Sequence, residues 1–169
     1  MRRLAPALAL FAAVALADHE RWPEALPAFS LQDVTGVAHT QADFLAHGGV
    51  IIVTAPRLSQ SDRQVSWDDA VAALPVLPAG PRFAMVEDMS QSVLRGLVIS
   101  TMKERYDPKR DPWLLLDEQG AVRKAFGLAE DMTVAFAFAP GGRRLAVETG
   151  PGSKERAAQL LKLVTDAAK

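Results

Sequence analysis

Residues 50–67 read VIIVTAPRLSQSDRQVSW. An unbroken apolar run, a Thr-Ala-Pro break, a polar turn and a helix-like pattern follow one another. α/β proteins commonly hold reactive groups in this setting, at the carboxyl end of a buried strand. A helix N-terminus there would stabilise an anion, a thiolate above all. The chain contains no cysteine, and the turn carries Gln60, Ser61, Asp62 and Arg63 instead. A serine stays an alcohol at neutral pH and cannot cycle through sulfenate or disulfide. Arg63 supplies positive charge but no nucleophile, so the turn holds nothing that thiol chemistry could use.

Other constellations are weaker. His39, Asp43 and His47 stand at i, i+4 and i+8. On a helix they would share a face, and these are ligand types that zinc accepts. The segment is short and Gly48-Gly49 ends it, so a surface turn accounts for all three, and no metal or other cofactor is expected. Ser, His and Asp are present, but no Gly-x-Ser-x-Gly elbow accompanies them. Asp62, Asp68 and Asp69 fall near a helix start, where carboxylates complement the macrodipole. KERYDPKR, residues 103–110, mixes basic residues with Glu104 and Asp107 and closes a helix where cations are favoured.

The elements that must position the turn follow from periodicity. A strand is expected over residues 28–31, a turn over 33–36, and one helical turn over 40–45, capped by Thr40 and ended by Gly48-Gly49. Residues 50–53 read as a buried strand. A helix fits from Ser61 or Ser66 to Leu74, because each serine offers a capping box, with Gln64 or Asp69. Trp67, Ala70, Val71 and Leu74 lie at helical spacing, and a proline-rich loop spans 75–81. A second apolar strand covers 83–86. Ser90 is placed to cap a helix with the stripe Val93, Leu94, Leu97, Val98 and Met102. Residues 113–116 form a strand, 117–120 a turn and 121–126 a further run. Residues 134–138 and 145–147 alternate about Pro140-Gly141-Gly142, a hairpin. Pro151-Gly152-Ser153 opens a last helix bearing Ala157, Leu160, Leu161, Val164 and Ala168 on one face. Helices between buried strands imply parallel pairs, and the hairpin adds antiparallel ones. The expected architecture is α/β: a mixed central sheet flanked by helices on both faces, with a late β-hairpin and a C-terminal helix.

The chain has 169 residues, 49% hydrophobic, with 19 basic and 20 acidic residues and a net charge of −1. Such balance gives no electrostatic case for nucleic acid or an anionic membrane surface. Arg2-Arg3, the apolar run 4–16 and Ala15-Leu16-Ala17 before Asp18 have the build of a secretory signal peptide over residues 1–17. Residues 18–169 are then one exported domain, periplasmic or secreted, with no membrane span after cleavage. Lipoprotein anchoring is excluded for want of a cysteine, and stability must come from core packing rather than disulfides.

PAFSLQDVTGVAHTQADF (27–44), GVIIVTAP (49–56), WLLLDEQGAVRKAFGL (113–128) and AFAFAPGGRR (135–144), in this order, resemble the thioredoxin-like superfamily. The resemblance is to its redoxin or alkyl hydroperoxide reductase–thiol-specific antioxidant branch, the peroxiredoxin-like one, whose body exported thiol–disulfide oxidoreductases share. It implies a thioredoxin-like fold over nearly all of residues 18–169. It also implies a reactive cysteine seven residues beyond the proline that ends the central strand. From Pro56 that position is Arg63, with Gln60 where the branch has Thr or Ser. The resemblance places a proline before the last hairpin as well; the matching residue is Thr133. The vacant redox position, Gln60, Ser61, Asp62 and Arg63 with Thr133, is thus the expected contact surface of a non-catalytic binding or structural module. Its expected partner is another exported or envelope protein. The alternative is a redoxin-family oxidoreductase acting by a non-thiol route through a metal or cofactor, for which His39, Asp43 and His47 are the ligand candidates.

Overall fold

Val50, Ile51, Ile52 and Val53 have no polar face because their strand is covered on both faces and paired along both edges. In the computed structural model, which describes residues 22–57, 59, 61–74, 80–108 and 112–169, this strand is β3 (Gly49–Val53), buried throughout. The segment read as a signal peptide and Gln60 lie outside the described residues, as does most of the 75–81 loop. β3 pairs in parallel with β4 (Arg82–Asp88) and antiparallel with β6 (Val134–Phe138). β5 (Trp113–Asp117) extends the parallel part beside β4. β7 (Arg144–Thr149) forms the expected hairpin with β6. At the far side, β1 (Ser30–Asp33) pairs antiparallel with β5 and with β2 (Ala38–Thr40), giving seven strands in the order β2-β1-β5-β4-β3-β6-β7.

Helices cover both faces. On one, α1 (Gln41–His47) contributes Phe44, and α4 (Ala121–Ala125) with its C-cap contributes Val122 and Phe126, against Ile51, Val53, Ala84 and Val86. On the other, α2 (Ser61–Ala72) brings Trp67, Ala70 and Val71, and α5 (Lys154–Ala167) brings Ala157, Leu160 and Val164, against Val50, Ile52, Phe83 and Met85. Both stripes follow the expected period, except that Ala168, expected on the α5 face, is exposed past the helix end and α2 stops at Ala72, short of Leu74. Thr40 and Asp43 form a capping box at α1, and Ser153 caps α5 by accepting from the Arg156 N–H. Gly152 lets the chain pass α2: a Cβ there would lie 2.6 Å from Trp67 Cα.

Four expectations are corrected. β1 sits two residues later than expected. The Asp33 carboxylate takes the N–H groups of Thr35 and Val37, and the chain returns at once as β2. Residues 121–125 are helical, because Asp117 accepts from the N–H groups of Ala121 and Val122 and so caps α4. The helix expected from Ser90 starts later, as α3 (Arg95–Arg105), since Asp88 holds the Ser90 N–H in a turn. Finally, α3 buries no residue; Val93, Leu94 and Leu97 stand 96%, 66% and 65% exposed. No helix among the described residues is long and apolar enough to cross a membrane.

Candidate binding crevice at the start of α2

The apolar run of β3 stops at Thr54, and the polar chemistry begins there. Thr54 is buried, and its hydroxyl lies 3.1 Å from Glu87 Oε2 and 3.2 Å from the Val86 carbonyl, while the Asp88 N–H donates to it at 3.3 Å. The next N–H, of Ala55, donates to Thr133 Oγ1 at 3.1 Å. Thr133 thus fills its place ahead of β6 as a buried acceptor that holds the chain leaving β3.

Glu87 follows Met85 on one face of β4, beneath α2. It is 4% exposed. Its Oε2 accepts from Thr54 and, at 2.6 Å, from Gln64 Nε2 on α2. Its Oε1 has no hydrogen-bond partner among the described residues. Burial pushes the carboxyl up to about 8; the nearby Asp68 adds to this, the Thr54 and Gln64 hydrogen bonds oppose it, and Asp88 raises it further. Glu87 is therefore protonated at neutral pH. Its neighbour Asp88 points to the opposite face and is ionically paired there, with Arg123 Nε 2.6 Å from Oδ2. Arg123 also donates to the Leu128 carbonyl.

A cavity of about 320 Å³ opens against these groups, lined by Ala55, Ser61, Gln64 and Glu87 on one side. Met89, Val98 and Met102 line it on the side of α3.

The structure brings only part of the predicted surface together. Ser61 opens α2 and lines the cavity. Thr133 lies on the other side of Ala55, joined to it by the hydrogen bond. Asp62 and Arg63 are exposed on the first turn of α2. His39, Asp43 and His47 do not share a helical face. His39 is on β2, where its Nε2 lies 3.0 Å from Asp33 Oδ2 and its ring stacks 4.0 Å from that of Trp113. Asp43 caps the Thr40 N–H, and His47 is exposed on the last turn of α1. Among the described residues no three His, Cys, Asp or Glu side chains converge as a metal-binding group. Burial alone would raise the Asp33 carboxyl, but hydrogen bonds from Thr35, His39 and the Val37 N–H outweigh it and hold it below its ordinary value.

Thr54, Gln64 and Glu87 are absent from the sequence-based site. The available signal was Glu87 itself, an acid that directly ends the apolar run FAMV in a strand patterned for burial on both faces.

No protein-family model matches the chain, and no curated protein matches it. Solved structures do. StoA from Bacillus subtilis superposes with a TM-score of 0.62 at 13% identity, covering 82% of this chain and 98% of that one. A thiol:disulfide interchange protein of the thioredoxin family from Chlorobium tepidum TLS gives 0.60 at 17% identity, covering 84% and 96%. Peroxidoxin BcpB from Mycobacterium tuberculosis gives 0.54 at 16% identity, covering 88% and 99%. These likenesses define the fold: it is thioredoxin-like, with the mixed sheet, flanking helices and C-terminal helix expected from the sequence.

Proposed function

We propose that this chain is an exported thioredoxin-like protein of the peroxiredoxin-like branch that performs no thiol catalysis. In this reading it uses the surface at the start of α2 to recognise another exported or envelope protein. One observation carries the reading. The β3–α2 turn of a thioredoxin-like fold is built here from Thr54, Pro56, Arg57, Ser61, Asp62 and Arg63, and the whole sequence holds no cysteine. Thiol-based peroxide reduction and disulfide exchange both begin with thiolate attack, which no side chain of this protein can make. Arg63 and Asp62 are exposed on the first turn of α2, where a partner's charges can reach them. Residues 1–17 support export, and the resemblance of residues 113–128 supports the branch.

The alternative, a redoxin-family oxidoreductase acting by a non-thiol route through a metal or cofactor, has His39, Asp43 and His47 as its ligand candidates, and among the described residues these form no metal-binding group.

The purified protein, assayed for dithiol-driven insulin reduction and for hydrogen peroxide consumption, should give no turnover above a protein-free control. Turnover in either assay would overturn the non-catalytic reading. Cross-linking in envelope extract of the native source, beside a folded Arg63→Glu variant, tests the surface: a partner held by the parent should be lost by the variant. Equal capture by both would move recognition to another face.

A further inference from the structure

Three features that the fold does not explain meet at one cavity. The first is Glu87, which lines the cavity and whose buried Oε1 has no hydrogen-bond partner among the described residues. Buried polar atoms in native proteins are nearly always paired. The second is an apolar wall: Val93, Leu94, Val98 and Met102 line the cavity from α3 and its approach, with Val93 and Leu94 exposed and Val98 and Met102 half-buried. The third is size, about 320 Å³, within the range of roughly 300–1,000 Å³ typical of small-molecule sites. An apolar wall with few placed polar groups is the usual make-up of such sites.

The hydrogen bonding fixes which chemistry Glu87 presents. Oε2 already accepts from the Thr54 hydroxyl and the Gln64 amide. With both of these bonds made to Oε2, Oε1 is the oxygen left to carry the carboxylic proton and donate it to an acceptor. The carboxyl is neutral at pH 7 because of burial and the acidic neighbours Asp68 and Asp88. Arg57 lines the cavity too, but it is engaged by Glu130 at 2.7 Å.

We propose that the cavity between α2, the end of β4 and α3 binds a small, uncharged, mainly apolar organic molecule through a carbonyl-type oxygen that accepts a hydrogen bond from the Glu87 carboxylic acid. The apolar body of the molecule covers Val98 and Met102. This goes beyond recognition of a partner protein at the start of α2 and does not rest on it.

A matched pair of probes isolates the hydrogen bond: 2-acetylnaphthalene, which carries the acceptor, and 2-ethylnaphthalene, which has nearly the same shape without it. Binding of each to the purified full-length protein is measured by ligand-observed NMR titration. The ketone should bind at least tenfold more tightly than the hydrocarbon. The preference should vanish in Glu87→Leu, and Met102→Trp, which fills the cavity and leaves Glu87 intact, should abolish binding of both. Equal affinities in the parent protein would overturn the role of Glu87. No saturable binding of either probe, or binding undiminished by Met102→Trp, would overturn the site. If Glu87→Leu does not fold, the comparison in the parent and the Met102→Trp variant still decide the question. None of these outcomes bears on the assays for thiol turnover.

Discussion

The Ala55 amide donates to the Thr133 hydroxyl across 3.1 Å, joining two buried groups that lie 78 residues apart in the chain. One is the first residue past Thr54 at the end of β3; the other is the last before β6. Their hydrogen bond fixes how the chain leaves the central strand and so where α2 begins. Thr133→Val keeps the shape but leaves the Ala55 N–H buried and unpaired. It should cost about 1–3 kcal/mol in urea unfolding, whereas Thr133→Ser should cost much less.

Glu87 makes stability depend on pH in a definite direction. Its carboxyl is raised from 4.5 to about 8 in the folded protein, so the folded state holds a proton that the unfolded chain releases. The contribution is fully present below pH 4.5 and is lost progressively as pH rises through about 8, a change on the order of a few kcal/mol. Glu87→Gln, neutral at every pH and able to accept from Thr54 and Gln64, should flatten this slope. Above pH 8 it should be more stable than the parent. A variant with the same pH profile as the parent would show that another group sets it.

On the opposite face, Arg123 and Asp88 form a buried pair at 2.6 Å. Arg123→Met strands the Asp88 carboxylate and should destabilise by about 3–5 kcal/mol. Adding Asp88→Asn to it should recover part of the loss, because the unpaired charge is gone. The check is a double-mutant cycle by chemical denaturation.

Gly152 is required for contact rather than for backbone freedom. A Cβ there would meet Trp67 Cα at 2.6 Å and the Ser66 carbonyl at 2.7 Å, both backbone atoms of α2. Gly152→Ala should cost about 1–3 kcal/mol, the usual range for overpacking. It should also perturb the near-ultraviolet circular dichroism of Trp67, whose indole N–H donates to the Gly150 carbonyl.

Much of this was legible in the sequence where burial imposes a period. The stripe of α5 and the alternation of β6 and β7 could be read directly, and the closed run of β3 declared itself by having no polar side. Short polar side chains that hold the backbone were harder to read. Asp33, Asp88 and Asp117 each take nearby N–H groups, and these three carboxylates decide where β2 follows, where α3 starts and that α4 is a helix. β2 has only three residues, too few to show alternation. The apolar stripe of α3 satisfied the helical pattern yet remains uncovered, since periodicity says which residues share a face and not whether anything lies against it. Of the residues read from the turn and its partner strand, Ser61 lines the cavity and Thr133 lies beyond Ala55. Thr54 and Glu87 each follow directly on an apolar strand run, at 50–53 and 83–86, and so read as strand ends rather than as a site.

The position of β3 in the sheet has a consequence for how the chain matures. Val50 pairs with Phe83 on one side and with Ala137 on the other, so its second neighbour arrives only when the last third of the polypeptide is available. Until then an all-apolar strand presents a bare row of N–H and C=O groups, the kind of edge that recruits other chains. Loop closure over so long a separation also slows the final docking. Vectorial emergence from the N-terminus therefore leaves this protein most prone to aggregation just before β6 completes the sheet.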